Sequence, residues 1–241
     1  MSNLPKLLHT ARFHTTVAKL AQLPRGQLPE VAFVGRSNAG KSSAINVLCQ
    51  RKRLAFSSKS PGRTQALNYY ALGNPDQEPI GFLVDTPGYG FAKVPGEVKA
   101  EWDLLGGNYL RHGSGNLRAV VLLIDIRRMI TDRDQALIEY LPPATPLLVL
   151  ITKADKLGRA EQWANRETIR RELAAFGITP EQAKLVLFSA LKRTGVIEAA
   201  SQISSWILGE DGREADSGAA SEDGAPSDID NGRSGPPTTE Q

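Results

Sequence analysis

Five short, almost wholly apolar runs stand at intervals along the chain, at residues 31–34, 81–84, 119–124, 147–151 and 185–188. Each is bounded by turn or polar residues, and none alternates with period two. Runs of this kind suit strands buried on both faces of a parallel sheet. Longer stretches with helical patterning follow them, at 42–49, 96–111, 131–140 and 159–176. A last helix is predicted over 195–208, where Val196, Ala199, Ala200, Ile203 and Ile207 recur at helical spacing. A sixth strand is expected over 66–72. Its link to the run at 81 is too short for a helical crossover, so the two should form an antiparallel hairpin. The alternation predicts an open three-layer α/β fold, a six-stranded, mostly parallel sheet with helices on both faces. Ligands in such sheets bind beyond the carboxyl ends of the strands.

Composition narrows the class. The 241 residues are 41% hydrophobic, enough for a sizeable core. One cysteine, Cys49, excludes a disulfide framework and a cysteine-rich zinc site, and reads as a buried small hydrophobe. Three histidines cannot build a histidine-rich metal centre. The apolar runs fall far short of the roughly 20 residues of a membrane span, and the start MSNLPKLLHTARF lacks a secretory apolar stretch. The expectation is a cytoplasmic protein with no membrane contact.

The net charge of +3 conceals an asymmetry. Residues 209–241 hold nine acidic and two basic residues, leaving 27 basic against 17 acidic, a net +10, in the rest. With Ile229 its only large aliphatic residue, this tail is expected to be disordered. The chain then divides into an N-terminal extension (1–25), a globular domain (26–208) and the acidic tail (209–241). A basic body points to a polyanionic partner such as nucleic acid, against the plainer reading of solubilising surface charge.

Chemistry collects at the strand ends. The first run leads into Gly35-Arg36-Ser37-Asn38-Ala39-Gly40-Lys41-Ser42-Ser43, a match to G-x-x-x-x-G-K-[ST] with a strand before it and a helix after. Its backbone N–H groups would wrap a β-phosphate, Lys41 would reach the β- and γ-phosphates, and the Ser42 hydroxyl would ligate Mg²⁺. The second run ends in Asp85-Thr-Pro-Gly88. There Asp85 can hold Mg²⁺ through water, and the unobstructed Gly88 N–H can meet a γ-phosphate. The fourth ends in Thr152-Lys153-Ala154-Asp155. Asp155 can accept from guanine N1–H and N2–H₂, donors that adenine lacks on that edge, while the Lys153 stem covers the base. The fifth ends in Ser189-Ala190, whose backbone N–H can serve guanine O6. Each tetrapeptide alone reads as an ordinary turn or helix cap. Their order, all on strand ends, does not.

These residues resemble the translational-factor-related GTPases with a Ras-like, P-loop G domain, and among them the EngB group, also called YihA or YsxC. The resemblance spans roughly 26–208. It rests on GRSNAGKSS at 35–43, SKSPGRTQALNYY at 58–70, DTPGYGFAKV at 85–94, TKADKL at 152–157 and SALKRTG at 189–195. It implies a switch I segment in which Gly62 and Arg63 contact nucleotide and the Thr64 hydroxyl completes the Mg²⁺ ligands only with GTP. Residues 88–98 would be switch II. It also implies GTP and GDP as ligands, a monomer, a role in assembly of the large ribosomal subunit, and a need for the protein in division and septation.

Two departures bear on mechanism. Tyr89 stands where many G domains place a water-orienting glutamine, so slow intrinsic hydrolysis is expected. Asn38 resembles an asparagine that in related GTPases helps hold K⁺ against the phosphates. Catalysis is assigned to Lys41, Asn38 and Thr64, with K⁺ as an activator; the alternative for Asn38 is a residue that only shapes the loop. Thr152 stands where asparagine is commoner among GTPases, although Thr-Lys-Ala-Asp is usual in the group this chain resembles, and base specificity therefore leans on Asp155.

Candidate RNA contacts are Arg51-Lys52-Arg53, Lys59 with Arg63, Arg127-Arg128 with Arg133, and Lys192-Arg193. Tyr69, Tyr70 and the tryptophans read as packing rather than base-stacking platforms, and Arg166, Arg170 and Arg171 as a solvated helix face. Three functions stay open: a GTPase switch on pre-ribosomal particles, a P-loop phosphotransferase, and a division-site adaptor acting through protein contacts. The phosphotransferase sits poorly with the guanine-reading elements.

Overall fold

The structure is a computed structural model that describes residues 6–56, 66–89, 105–112 and 115–210. Seven strands form one sheet: β1 (Arg12–Val17), β2 (Glu30–Gly35), β3 (Leu67–Leu72), β4 (Gly81–Asp85), β5 (Leu117–Asp125), β6 (Leu147–Thr152) and β7 (Ala183–Leu187). Their spatial order is β1-β3-β4-β2-β5-β6-β7. Strands β4, β2, β5, β6 and β7 run parallel; β3 is antiparallel to β4, and β1 to β3. The described helices are α1 (Lys41–Leu48), α2 (Gly106–His112), α3 (Asp132–Tyr140), α4 (Arg159–Ala175) and α5 (Val196–Leu208). They match the expected α/β P-loop architecture and the antiparallel hairpin.

The strand count is corrected from six to seven. The added strand, β1, lies within the stretch read as an N-terminal extension. Its sequence RFHTTV carries no apolar run, and of its residues only Val17 is buried. It sits at the sheet edge, where one face and one side meet water, so it needs no hydrophobic signature. Strand β7 begins two residues earlier than expected, because Ala183 rather than Leu185 opens the pairing with Leu147.

The central strands show why continuous apolar runs were needed. Val31 and Phe33 of β2 face one core while Ala32 and Val34 face the other. On β5, Ala119, Val121 and Leu123 join the first core, and Val120, Leu122 and Ile124 the second. The first core is closed by α1 and α5, the second by α2, α3 and α4. Every inward position on both faces must therefore be apolar. Cys49 lies in the first core with its thiol pushed up to about 12 by burial, partly offset by nearby Arg51.

One buried carboxylate departs from this pattern. Glu30, at the start of β2, accepts hydrogen bonds from the hydroxyls of Tyr69 (3.1 Å) and Tyr109 (2.7 Å). Burial, reinforced by the Glu30 charge, pushes both phenols well above their ordinary value. The trio ties β2 to β3 and to α2, and these bonds offset the desolvation of the charge. Tyr70 and Trp206 are also buried, as expected of packing residues, whereas Trp163 is exposed with Arg166 over its ring. Trp102 lies outside the described residues. Among the described residues, no helix is long and apolar enough to cross a membrane.

Candidate functional site

Strand β2 delivers the chain into the loop Gly35–Gly40 and then into α1. Asn38 and Gly40 both take left-handed backbone, at φ 63° and 102°. Asparagine tolerates that region better than most side chains, and glycine enters it freely. These two positions curl the loop so that α1 starts directly after it at Lys41. Ser42 and Ser43 occupy the first turn of α1, where backbone N–H groups lack intrahelical partners. The arrangement is a cradle of N–H donors at a helix N-terminus, suited to a phosphate group.

Strand β4, adjacent to β2, ends at Asp85. Its nearly buried carboxylate pairs with the Lys41 ammonium. Thr86 follows and ties itself to β2 through Phe33 O (2.8 Å). Gly88 then passes so close to the loop that a Cβ there would sit 3.0 Å from Ser37 Oγ and 3.2 Å from Ser37 N. The Ser37 N–H donates to Tyr89 O at 3.0 Å. The start of the 88–98 segment therefore lies directly on the phosphate loop, and any side chain at 88 would crowd that approach.

Tyr89 itself turns away from the loop. It is buried, and its hydroxyl donates to Asp134 Oδ1 at 2.6 Å. Burial and the Asp134 charge hold the phenol far above its ordinary value. Asp134 in turn closes the N-terminus of α3, accepting from Thr131 N (2.9 Å) and Thr131 Oγ1 (2.6 Å).

Strand β6 contributes the other side. Thr152 Oγ1 donates to Ala39 O (2.7 Å), and Lys153 Nζ donates to Asn38 O (2.7 Å). Two consecutive residues thus brace the phosphate loop from the neighbouring strand end. Thr152 has a defined task here as a loop tie. Asp155 Oδ1 accepts from Ser189 Oγ at 2.6 Å, with Lys156 Nζ 3.7 Å from the other oxygen. The serine hydrogen bond, helped by Lys156, holds the Asp155 carboxyl below the usual carboxylate range. Ser189 is fully buried and also accepts from Lys192 N (3.0 Å), which fixes its hydroxyl, with Ala190 next to it.

The expected residues Gly35 to Ser43, Asp85, Gly88, Thr152, Lys153, Asp155, Ser189 and Ala190 therefore gather beyond the carboxyl ends of β2, β4, β6 and β7. Gly62, Arg63 and Thr64, with Lys59, lie outside the described residues, as does the 88–98 segment beyond Tyr89. The expected helix at 96–111 is described only over α2, and the acidic tail only at Gly209 and Glu210.

Three participants escaped the sequence reading. Asp125, at the end of β5, accepts from Lys153 Nζ (2.9 Å) and Arg127 Nη2 (2.8 Å). Burial alone would raise its carboxyl, but these hydrogen bonds outweigh it and hold the group well below the usual range. Its signal was position: it closes the third apolar run, as Asp85 closes the second. Asp134 carried no signal beyond a helix-capping pattern. Asn46 anchors the chain after α1, its side chain accepting from Leu54 N and Ala55 N and donating to Ala55 O, each within 2.9 Å.

Comparison with known proteins matches this geometry. Residues 30–153 match a family model described as 50S ribosome-binding GTPase. A probable GTP-binding protein EngB from Paraburkholderia phytofirmans is 49% identical over 213 residues, covering 87% of this chain and 97% of that one. Its counterpart in Burkholderia multivorans is 52% identical over 204 residues, covering 83% and 92%. Among solved structures, a probable GTP-binding protein EngB superposes with a TM-score of 0.56 at 22% identity, over 75% of this chain and 99% of that one. Era, in complex with MgGDPNP and nucleotides 1506-1542 of 16S ribosomal RNA, gives 0.55 at 24% identity over 75% and 57%. At those identities the two superpositions establish the P-loop GTPase fold; the sequence matches go further. The chain belongs to the EngB family of GTP-binding proteins and is a GTPase.

Proposed function

We propose that this GTPase is a slow, Mg²⁺-dependent switch that engages the assembling large ribosomal subunit through basic residues around its nucleotide site. The observation that carries this reading is a shared rim. Arg127 and Arg128 are exposed just beyond the end of β5, and Lys192 and Arg193 just beyond β7. Asp155 and the phosphate loop lie on the same edge of the sheet. A polyanion bound there would meet nucleotide-dependent surface, with affinity that falls as salt rises. The family model's description and the RNA-bound Era neighbour support an RNA-containing partner. Normal division and septation would depend on this activity in the cytoplasm.

The residues fit a magnesium ion. The Asp85 carboxylate already faces a cation, the Lys41 ammonium, and the Ser42 hydroxyl opens the adjacent helix. These are hard oxygen donors of the kind Mg²⁺ prefers. Ser42 and Asp85 would hold it, with Thr64 joining in the GTP state; the ion would neutralise charge on the phosphates. Lys41 would exchange Asp85 for the β- and γ-phosphates, while the loop N–H groups and Gly88 N–H stabilise developing charge. Asp155 and Ala190 N–H would read guanine, with the Lys153 stem over the base. Slow hydrolysis follows from Tyr89, whose hydroxyl is committed to Asp134 and presents no amide to a water. Asn38, exposed on the loop with its carbonyl fixed by Lys153, would help hold K⁺. Equal hydrolysis in K⁺ and Na⁺ would remove that role.

The test is co-sedimentation of the purified protein with large ribosomal subunits, comparing GDP with a non-hydrolysable GTP analogue across a salt series. Binding that requires the analogue and weakens with salt is expected. No binding in any state, with nucleotide affinity intact, would overturn the ribosomal reading in favour of a division-site adaptor.

A further inference from the structure

We propose that Asp125 is a positioning residue for guanine-nucleotide binding, acting through Lys153. The inference rests on the nucleotide-site reading above and assigns a residue that the binding motifs do not contain.

Asp125 closes β5 and pairs in register with Thr152, the residue before Lys153. Its carboxylate is 5% exposed. One oxygen, Oδ2, accepts from Lys153 Nζ at 2.9 Å and from Arg127 Nη2 at 2.8 Å. The other, Oδ1, accepts from Arg127 Nε at 3.0 Å and Arg127 N at 3.1 Å. Lys153 Nζ has a second acceptor, the Asn38 carbonyl of the phosphate loop, at 2.7 Å. The ammonium therefore bridges the end of β5 and the loop. Both ends of the lysine are constrained, because its backbone sits in left-handed geometry at φ 58°.

A lysine stem has four rotatable carbons and ordinarily samples many rotamers. Fixed at both ends, it becomes a preset shelf across the place where the base would lie. A nucleotide then meets an ordered wall and an ordered loop, and the ordering cost is met before binding. A neutral residue at 125 would release the ammonium from one anchor and slacken its hold on Asn38. The turn after β5 has independent support, since Arg128 N and Met129 N both donate to the Asp125 carbonyl. Loss of the carboxylate charge should thus reach the nucleotide before it reaches the fold.

The experiment measures the Kd of a fluorescent GDP for the full chain in four forms: unchanged, Asp125→Asn, Lys153→Met and the double variant. Thermal unfolding without nucleotide confirms that each is folded, and Asp125→Ser runs in parallel should the asparagine variant not fold. Asp125→Asn should weaken GDP about tenfold, the scale of a lost charge-assisted hydrogen bond. Lys153→Met keeps the stem and should weaken it at least as much. In the Lys153→Met background, Asp125→Asn should add less than about twofold. In steady-state hydrolysis Asp125→Asn should raise KM for GTP by a larger factor than it lowers kcat, because in this reading Lys153 acts at the base and reaches the reacting phosphates only through its tie to Asn38. Independent, multiplying losses would mean a merely structural carboxylate and overturn the proposal, as would GDP binding unchanged in Asp125→Asn. Failure of the unchanged protein to bind GDP would overturn the nucleotide-site reading and this inference together.

Discussion

The hydroxyl of Tyr89 donates to Asp134 across 2.6 Å, joining the residue after Gly88 to the first turn of α3. The side chain at the position where a glutamine would face the nucleotide is thus part of the core beneath it. The same residue's carbonyl receives the Ser37 N–H. Its backbone touches the phosphate loop while its side chain anchors to a helix.

Tyr89→Phe should therefore destabilise the fold by about 1.5–3 kcal/mol, the usual scale for a lost hydrogen bond to a charged acceptor. Single-turnover GTP hydrolysis should stay within about threefold of the unchanged protein, since the phenol is not aimed at the loop. Urea unfolding and a quenched hydrolysis time course measure the two effects. A rate loss above tenfold would show that Tyr89 reaches the nucleotide in the GTP state.

Gly88→Ala places a Cβ against Ser37 N at 3.2 Å and Ser37 Cα at 3.3 Å, both backbone atoms that cannot rotate away. The loop and the following segment must separate by a few tenths of an ångström. Hydrolysis should fall about tenfold or more, because small misplacements at a reacting centre cost rate steeply. GDP affinity should change much less. Measuring both on one preparation separates the outcomes, and a parallel loss of GDP binding would mean that the loop itself had collapsed.

The Ser189 hydrogen bond holds the Asp155 carboxyl below its ordinary range. Guanine recognition needs the ionised form, and a depressed value keeps that form present at lower pH. Ser189→Ala should weaken GDP several-fold at pH 7. The deficit should widen as pH falls toward about 4, the ordinary value for aspartate. Expressing each affinity as a ratio to the unchanged protein at the same pH cancels titration of the nucleotide. A ratio constant with pH would count against the serine's role in keeping Asp155 ionised.

Asp125 carries the same sign into folding. Its folded value is depressed, so its contribution is fully present above the unfolded value of about 3.9. The contribution is lost as pH falls from there through the folded value, because the unfolded chain takes up a proton that the folded one refuses. Asp125→Asn should show a shallower loss of stability below pH 4 than the unchanged protein, with parallel curves between pH 5 and 7. Chemical unfolding across that pH series is the measurement.

Cys49 is fully buried and its thiol is raised to about 12. At pH 8 the native protein should resist aromatic disulfide reagents for hours, while the unfolded chain reacts at once. Reactivity of this single thiol should therefore track global unfolding. Fast labelling of the folded protein would show local opening at the end of α1.

What the sequence determined by itself follows from what burial demands locally. Strands β2, β4, β5 and β6 announced themselves because residues such as Phe33, Leu83, Val121 and Val149 meet a core on whichever face they point to. The phosphate loop, Asp85 and Asp155 were legible because a short contiguous segment, set at a strand end, carries their chemistry. Tertiary structure decided the rest. Strand β1 owes its existence to pairing with β3, and an edge position leaves no apolar pattern to read. Asp125 and Lys153 are 28 residues apart in the chain and meet only because β5 and β6 lie side by side in register. Tyr89 and Asp134, 45 residues apart in the chain, meet only because the segment after β4 and the start of α3 become neighbours. A side chain's hydrogen-bond partner is set by which elements become neighbours, and no window of sequence contains that information.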